Sequence, residues 1–231
     1  MNNKVFSYNE NTDKNAYMNW RTSKHDHISN MFVVGNGFYN SAISLTKIIL
    51  EDNTDRKADE LVFPIVFNFN HAIEIYLKAT SWILKKLLYR SEKKPFNSTH
   101  DLNKLFASYK HLIQDFEGNK INDRLITTES YINELYSVIK TPKTNRSGQI
   151  EYDENGNEIL IQDITFARYA LTNDLQPQFY ITKNENVTLD MVNLDLIMKS
   201  IFEELRGFAY HYEALHETRM EMEQEARNNM E

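Results

Sequence analysis

Cysteine is absent from the 231 residues, which removes disulfide stapling, thiolate zinc sites, Cys-ligated iron–sulfur clusters and cysteine nucleophiles together. A reducing cytoplasm is the expected location. Also lacking is any apolar run long enough to span a bilayer, and the opening Met1-Asn2-Asn3-Lys4-Val5-Phe6-Ser7-Tyr8-Asn9-Glu10 has no apolar core of a secretion signal. There is no basic excess either. The formal charge of −7 argues against an indiscriminate duplex-DNA binder, which needs a basic face to neutralise phosphates, while leaving room for a local basic patch.

What is present suits one large folded domain. Hydrophobic residues make up 41% of the chain and aromatics 12%, ample for a buried core, and the charged fraction is ordinary for a solvated surface. Residues 1–14 are polar and Asn-rich and read as a flexible N-terminal arm, with 15–231 as a single helical domain. From Ile28 to Leu50 the positions Met31, Val34, Phe38, Ala42, Leu45 and Ile49 trace an amphipathic helical face, interrupted in composition by Gly35-Asn36-Gly37.

Leu61 to Leu88 is the strongest helical segment. It is apolar nearly all round, which predicts a central position, with Pro64 in its first turn. Thr99 or Asp101 should cap a helix over about 102–115, and another helix runs over about 123–140. After Pro142 the texture changes. Glu154-Asn155-Gly156-Asn157 lies between short alternating runs, a hairpin signal, and a second strand pair is expected to flank Asn184-Glu185-Asn186. Residues 142–188 therefore read as a β-containing insertion. A last helix starts near Asp190, with its tail beyond Glu217 expected to fray. The fold class is mainly α, about five helices with a small β-hairpin insertion near residues 148–188.

On the central helix, Asn68, His71, Glu74, Lys78 and Lys85 form one polar line on an otherwise apolar cylinder. Two readings fit. The line is a solvent-facing edge with an i,i+4 Glu74–Lys78 pair, or it lines a cleft, with His71 and Glu74 as proton-transfer or ligand groups and Lys78 as an anion contact.

The run His71-Ala72-Ile73-Glu74-Ile75-Tyr76-Leu77-Lys78-Ala79, followed by His100-Asp101-Leu102-Asn103-Lys104-Leu105, resembles the second and third helices of bacterial HEPN-type domains. Phe166-Ala167-Arg168-Tyr169-Ala170 is similar to an F-R-Y-P stretch found later in some of them, with Ala170 in place of proline. The resemblance covers roughly residues 28–220 and implies an antiparallel, HEPN-like helical bundle.

It also implies a metal-independent endoribonuclease or RNA-binding protein, a toxin or antiviral defence component, working as a homodimer without a cofactor. Catalytic members carry Arg and, after a short spacer, His on the last helix, which Arg206-Gly207-Phe208-Ala209-Tyr210-His211 matches. By resemblance, Arg206 holds the scissile phosphate and His211 serves the proton transfers around the attacking 2′-hydroxyl and the leaving oxygen. Gly207 stands where a polar residue is common. Five helical positions turn through about 140°, so Arg206 and His211 share a cleft only if Arg206 reaches round or a second subunit contributes. The other reading of the pair is that Arg206 stacks on Tyr210 or pairs with Glu203 and His211 is a surface histidine, in a catalytically inactive module that binds a protein or a nucleotide-bearing ligand.

Arg168, beside Tyr169, either contacts a phosphate or base or pins the insertion to an acidic residue of the bundle. Residues 85–94 hold five basic residues against one acid, which suits an RNA-contacting patch or a helix C-terminus. Glu213 and His216 form a lone Glu-x-x-His, and His25-Asp26-His27 is too short of ligands, so no metal is expected.

Overall fold

The computed structural model describes residues 4–89, 97–118, 124–145, 147–172, 175–183 and 185–229. Its main elements are α1 (His27–Glu51), α2 (Ala58–Tyr89), α3 (Leu102–Glu117), α4 (Ile126–Val138) and α6 (Met191–Asn228), with α5 a single turn over Phe179–Thr182. A two-stranded antiparallel pair, β1 (Lys140–Pro142) and β2 (Leu160–Gln162), lies mid-chain. Among the described residues, no helix is long and apolar enough to cross a membrane.

Aspartates start three of the helices, because a short carboxylate can accept the first unpaired N–H groups. Asp26 accepts from the Ser29 amide, Asp101 from that of Lys104, and Asp190 from those of Val192 and Asn193. α4 has no cap of its own. Instead, Glu204 of α6 accepts from the Thr127 and Thr128 amides at 3.1 and 3.0 Å and from the Thr128 hydroxyl at 2.7 Å, so a tertiary contact does the capping.

α2 is the central helix its composition predicts, lying against α1, α3 and α6. The chain neighbours α1 and α2 run antiparallel, since His27 stacks near Trp82 while Phe38 meets His71. α3 and α4 are likewise antiparallel, linked by Lys110–Glu129 near one end and Asp101–Tyr136 near the other. α2, α3 and α6 share one direction. Glu74 meets His100 and Tyr89 meets Asp115, while Tyr76 meets Phe202 and the Lys86 carbonyl meets Arg219.

Several boundaries differ from the sequence reading. α2 begins at Ala58, whose amide donates to the Asn53 side chain at 2.9 Å. Pro64 therefore sits in the second turn and removes one intrahelical bond. α4 ends at Val138, and the expected start at Asp123 lies outside the described residues. α6 stays helical to Asn228 rather than fraying, because Arg219 donates to the Lys86 and Leu87 carbonyls at the end of α2, at 3.3 and 2.8 Å.

The hairpin turn at Asn155-Gly156 is present, with Gly156 at φ +80 and a bridge between Tyr152 and Glu158. Its outer partner strand starts at Lys140, before Pro142, so the insertion begins earlier than expected. No second strand pair flanks residues 184–186 among the described residues: the preceding segment is the helical turn α5, and the nearby bridge is Leu171 with Pro177. Phe179 and Tyr180 drive that turn, packing on Phe166 and on Phe63 of α2.

Candidate functional site

The polar line on α2 is buried at its middle and partly exposed at Asn68, His71 and Lys85. Glu74 and Lys78 are buried, 8% and 7% exposed, and the Lys78 ammonium donates to Glu74 Oε1 at 2.8 Å. The same oxygen lies 2.9 Å from His100 Nδ1 at the mouth of α3, and Glu74 Oε2 lies 3.6 Å from His71 Nδ1. Burial pushes the Glu74 carboxyl upward, but hydrogen bonds from His71 and Lys78, with the Lys78 and His100 charges, outweigh it and leave the group at about 2. The cluster ties the middle of α2 to the start of α3. This gives the His71–Lys78 and His100–Leu102 motifs one physical meaning: they meet at one carboxylate.

His71 is edge-on to Phe38 at 4.4 Å and stacked with Phe67 at 5.7 Å. Arg168 lies 5.5 Å from the same Phe67 ring and 5.5 Å from Tyr169. It makes no ion pair with an acidic residue among the described residues, so the expected salt bridge is replaced by a cation–π contact. Arg168 thus joins the His71 neighbourhood by way of Phe67.

Tyr76, two positions beyond Glu74, faces the opposite side of α2, toward α1 and α6. There Arg206 Nε donates to Tyr210 Oη at 2.9 Å, with the guanidinium 5.0 Å from the Tyr210 ring. The two line a cavity of about 190 Å³ with Phe32 and Asn36 of α1, Tyr76 and Glu213. Tyr76 Oη donates to Asn36 Oδ1 at 2.9 Å, and burial raises this phenol to about 12, so it stays protonated. Gly35 makes the close approach of α1 feasible: a Cβ there would lie 3.1 Å from the Tyr76 ring. A larger but shallow hollow, about 530 Å³ beside Asn40 and Asn68, holds none of these groups.

His211 turns the other way, toward α3. Its Nε2 lies 3.7 Å from Glu117 Oε1, which also accepts from the Tyr212 hydroxyl, while Arg124 reaches Glu117 Oε2 at 3.5 Å. Within one chain, Arg206 and His211 therefore line no common cleft among the described residues. Taking Arg206 as the origin, a turn of 100° per residue puts Tyr210, Ala214, Gly207 and His211 at about 40°, 80°, 100° and 140°. All are exposed. Arg206 and His211 are thus the two borders of one solvent-facing strip of α6. A Cβ at Gly207, within that strip, would meet nothing within 4 Å.

Sequence reasoning missed Glu117, Asn36 and the role of His100. Of these, only His100 carried a signal, its place in the His-Asp-Leu run. Residues 90–94 of the basic stretch 85–94 lie outside the described residues; Lys86 lies 5.5 Å from the Trp82 ring, and Tyr89 Oη donates to Asp115 at 3.4 Å. Among the described residues, no three His, Asp or Glu side chains form a group that could hold a metal ion.

No protein-family model, curated protein or solved structure matches the chain.

Proposed function

We propose that the chain is an HEPN-like, RNA-acting protein that cleaves single-stranded RNA as a homodimer, without a metal, at sites shared between two copies of α6. The observation that carries this reading is the position of Arg206 and His211 at the two borders of one exposed strip of α6. A second α6 laid parallel along that strip, with the two-fold axis running along the helices, puts each Arg206 on the same side of the seam as the partner's His211. Gly207 and Ala214 within the strip lower the steric barrier to that approach.

In the composite site, Arg206 holds the scissile phosphate by its guanidinium and stabilises charge on the equatorial oxygens. The partner's His211 takes the 2′-hydroxyl proton as that oxygen bonds to phosphorus. The bond from phosphorus to the 5′-oxygen breaks, water protonates the leaving oxygen, and the imidazolium returns its proton to solvent. The products are a 2′,3′-cyclic phosphate and a free 5′-hydroxyl. Glu117, whose Oε1 lies 3.7 Å from His211 Nε2, is placed to orient the ring.

Incubation of the purified protein with mixed single-stranded RNAs in a chelating buffer tests the reaction. Cyclic-phosphate products that disappear in His211→Ala support it, and unchanged cleavage in that variant removes the role assigned to His211.

A second reading rests on the turn of Arg206 onto Tyr210 and away from His211. In that reading, the cavity between α1 and α6 binds a nucleotide-bearing ligand without cleaving it. Binding of RNA with no products, unchanged by His211→Ala, is its signature.

A further inference from the structure

The cavity bordered by Arg206 has a composition that a phosphate alone does not explain. At about 190 Å³ it is smaller than the roughly 300–1,000 Å³ of sites for drug-sized ligands, which suits one planar ring system. Its sides include the Phe32, Tyr76 and Tyr210 rings, against which a flat heterocycle can pack.

Its polar groups are complementary and unspent. The Tyr76 hydroxyl occupies Asn36 Oδ1, so Asn36 presents its Nδ2 as the donor, with no acceptor among the described residues. Arg206 engages Tyr210 through Nε, leaving the two terminal nitrogens for an anion. Glu213, half-buried on the cavity wall it shares with Arg206, receives no hydrogen bond from the described residues, and burial, with the acidic Glu217 and Asp26, raises its carboxyl above the ordinary value. A carboxylate so placed is stabilised by a ligand that brings N–H donors.

We propose that this cavity is a base-specificity pocket, which seats one unpaired RNA base carrying an exocyclic amine while Arg206 holds the adjoining phosphate. The amine donates to Glu213, and the Asn36 amide donates to a ring nitrogen or carbonyl oxygen on the same edge. Adenine, cytosine and guanine carry such an amine. Uracil has no exocyclic amine; the single donor on its edge, N3–H, lies between two carbonyl oxygens, so a Glu213 carboxylate that accepts from it is pressed against an oxygen. The base must be unpaired, because pairing consumes that edge. This inference rests on the RNA-acting reading above and extends it to sequence preference.

Fluorescence anisotropy with equal-length oligo(A), oligo(C) and oligo(U) on the intact protein tests the pocket, with inorganic phosphate as the competitor that reports Arg206 alone. The expected result is binding of oligo(A) and oligo(C) about fivefold tighter than oligo(U), the size of one net hydrogen bond. Glu213→Leu should bring the three within about twofold of one another, a hydrogen-bond-sized effect removed. Val33→Trp, which fills the cavity, should weaken all three while thermal unfolding shows the fold intact. Equal binding of the three oligonucleotides by the wild type overturns the proposal, as does a preference that persists in Glu213→Leu. Preferential binding without any cleavage leaves the pocket standing and removes the ribonuclease reading. Cleavage with no dependence on Glu213 does the reverse.

Discussion

Arg206 and His211 are five positions apart on α6 and turn to different neighbours, the first to Tyr210 on the α1 side and the second to Glu117 of α3. That divergence makes the exposed strip between them the region where a second copy must bind if both residues act on one phosphate.

Gly207 lies on that strip, in mid-helix, with open space where a Cβ would be. Gly207→Ala should raise stability by about 0.5–1 kcal/mol, since it lowers the entropy lost on forming the helix without meeting a neighbour. Urea denaturation checks this. Gly207→Trp should yield a monomer by light scattering with unchanged helical content and no RNA cleavage, whereas a Trp variant that remains dimeric moves the interface elsewhere.

The Glu74–Lys78 pair is buried, so removing one partner costs more than removing both. Glu74→Leu should lower stability by about 3–5 kcal/mol, because Lys78 loses its carboxylate inside the bundle. Glu74→Leu combined with Lys78→Met should recover most of that loss. Equal losses in the single and double variants would count against a pairing role.

Acid sensitivity follows from the same carboxylate. Its ordinary value of 4.5 falls to about 2 in the fold, so its contribution is fully present above about pH 4.5 and is lost as the pH drops toward 2. Urea midpoints of the wild type should fall across that window, and Glu74→Gln should flatten that part of the profile. Identical slopes in the two proteins would contradict the assignment.

How much was legible in the sequence depends on the range of each interaction. Asp101 and Asp190 announced helix starts because capping is local, and the apolar girdle of α2 announced its central place. The start of α4 was not legible, since its cap comes from Glu204 on another helix. The length of α6 was hidden for the same reason: Arg219 holds its polar tail against the end of α2. Among the site residues, Glu74 and Lys78 read equally well as a surface pair, because the burial that covers them and the contact with His100 come from chain distant in sequence. Glu117 and Asn36 carried no pattern at all, as their meaning lies in contacts with α6 and α2.

Arg168 holds the insertion through the Phe67 ring rather than through a salt bridge. Arg168→Ala should cost about 0.5–2 kcal/mol, the range for a cation–π contact, and should speed proteolysis within residues 140–190 while the helical signal is kept. An unchanged proteolysis rate would show that the ring contact does not hold the insertion down.

The most direct measurement of the proposed shared site is RNA cleavage by a mixture of two variants expected to be inactive, Arg206→Ala and His211→Ala, unfolded together and refolded as mixed dimers. Each mixed dimer carries one site with an intact Arg206 and the partner's intact His211. Random pairing should therefore restore about a quarter of the wild-type rate, given one working site in half of the dimers. Restoration to that level is the expected result, and a mixture as inactive as its two parents, beside an active wild type, would contradict cleavage across the two-fold axis.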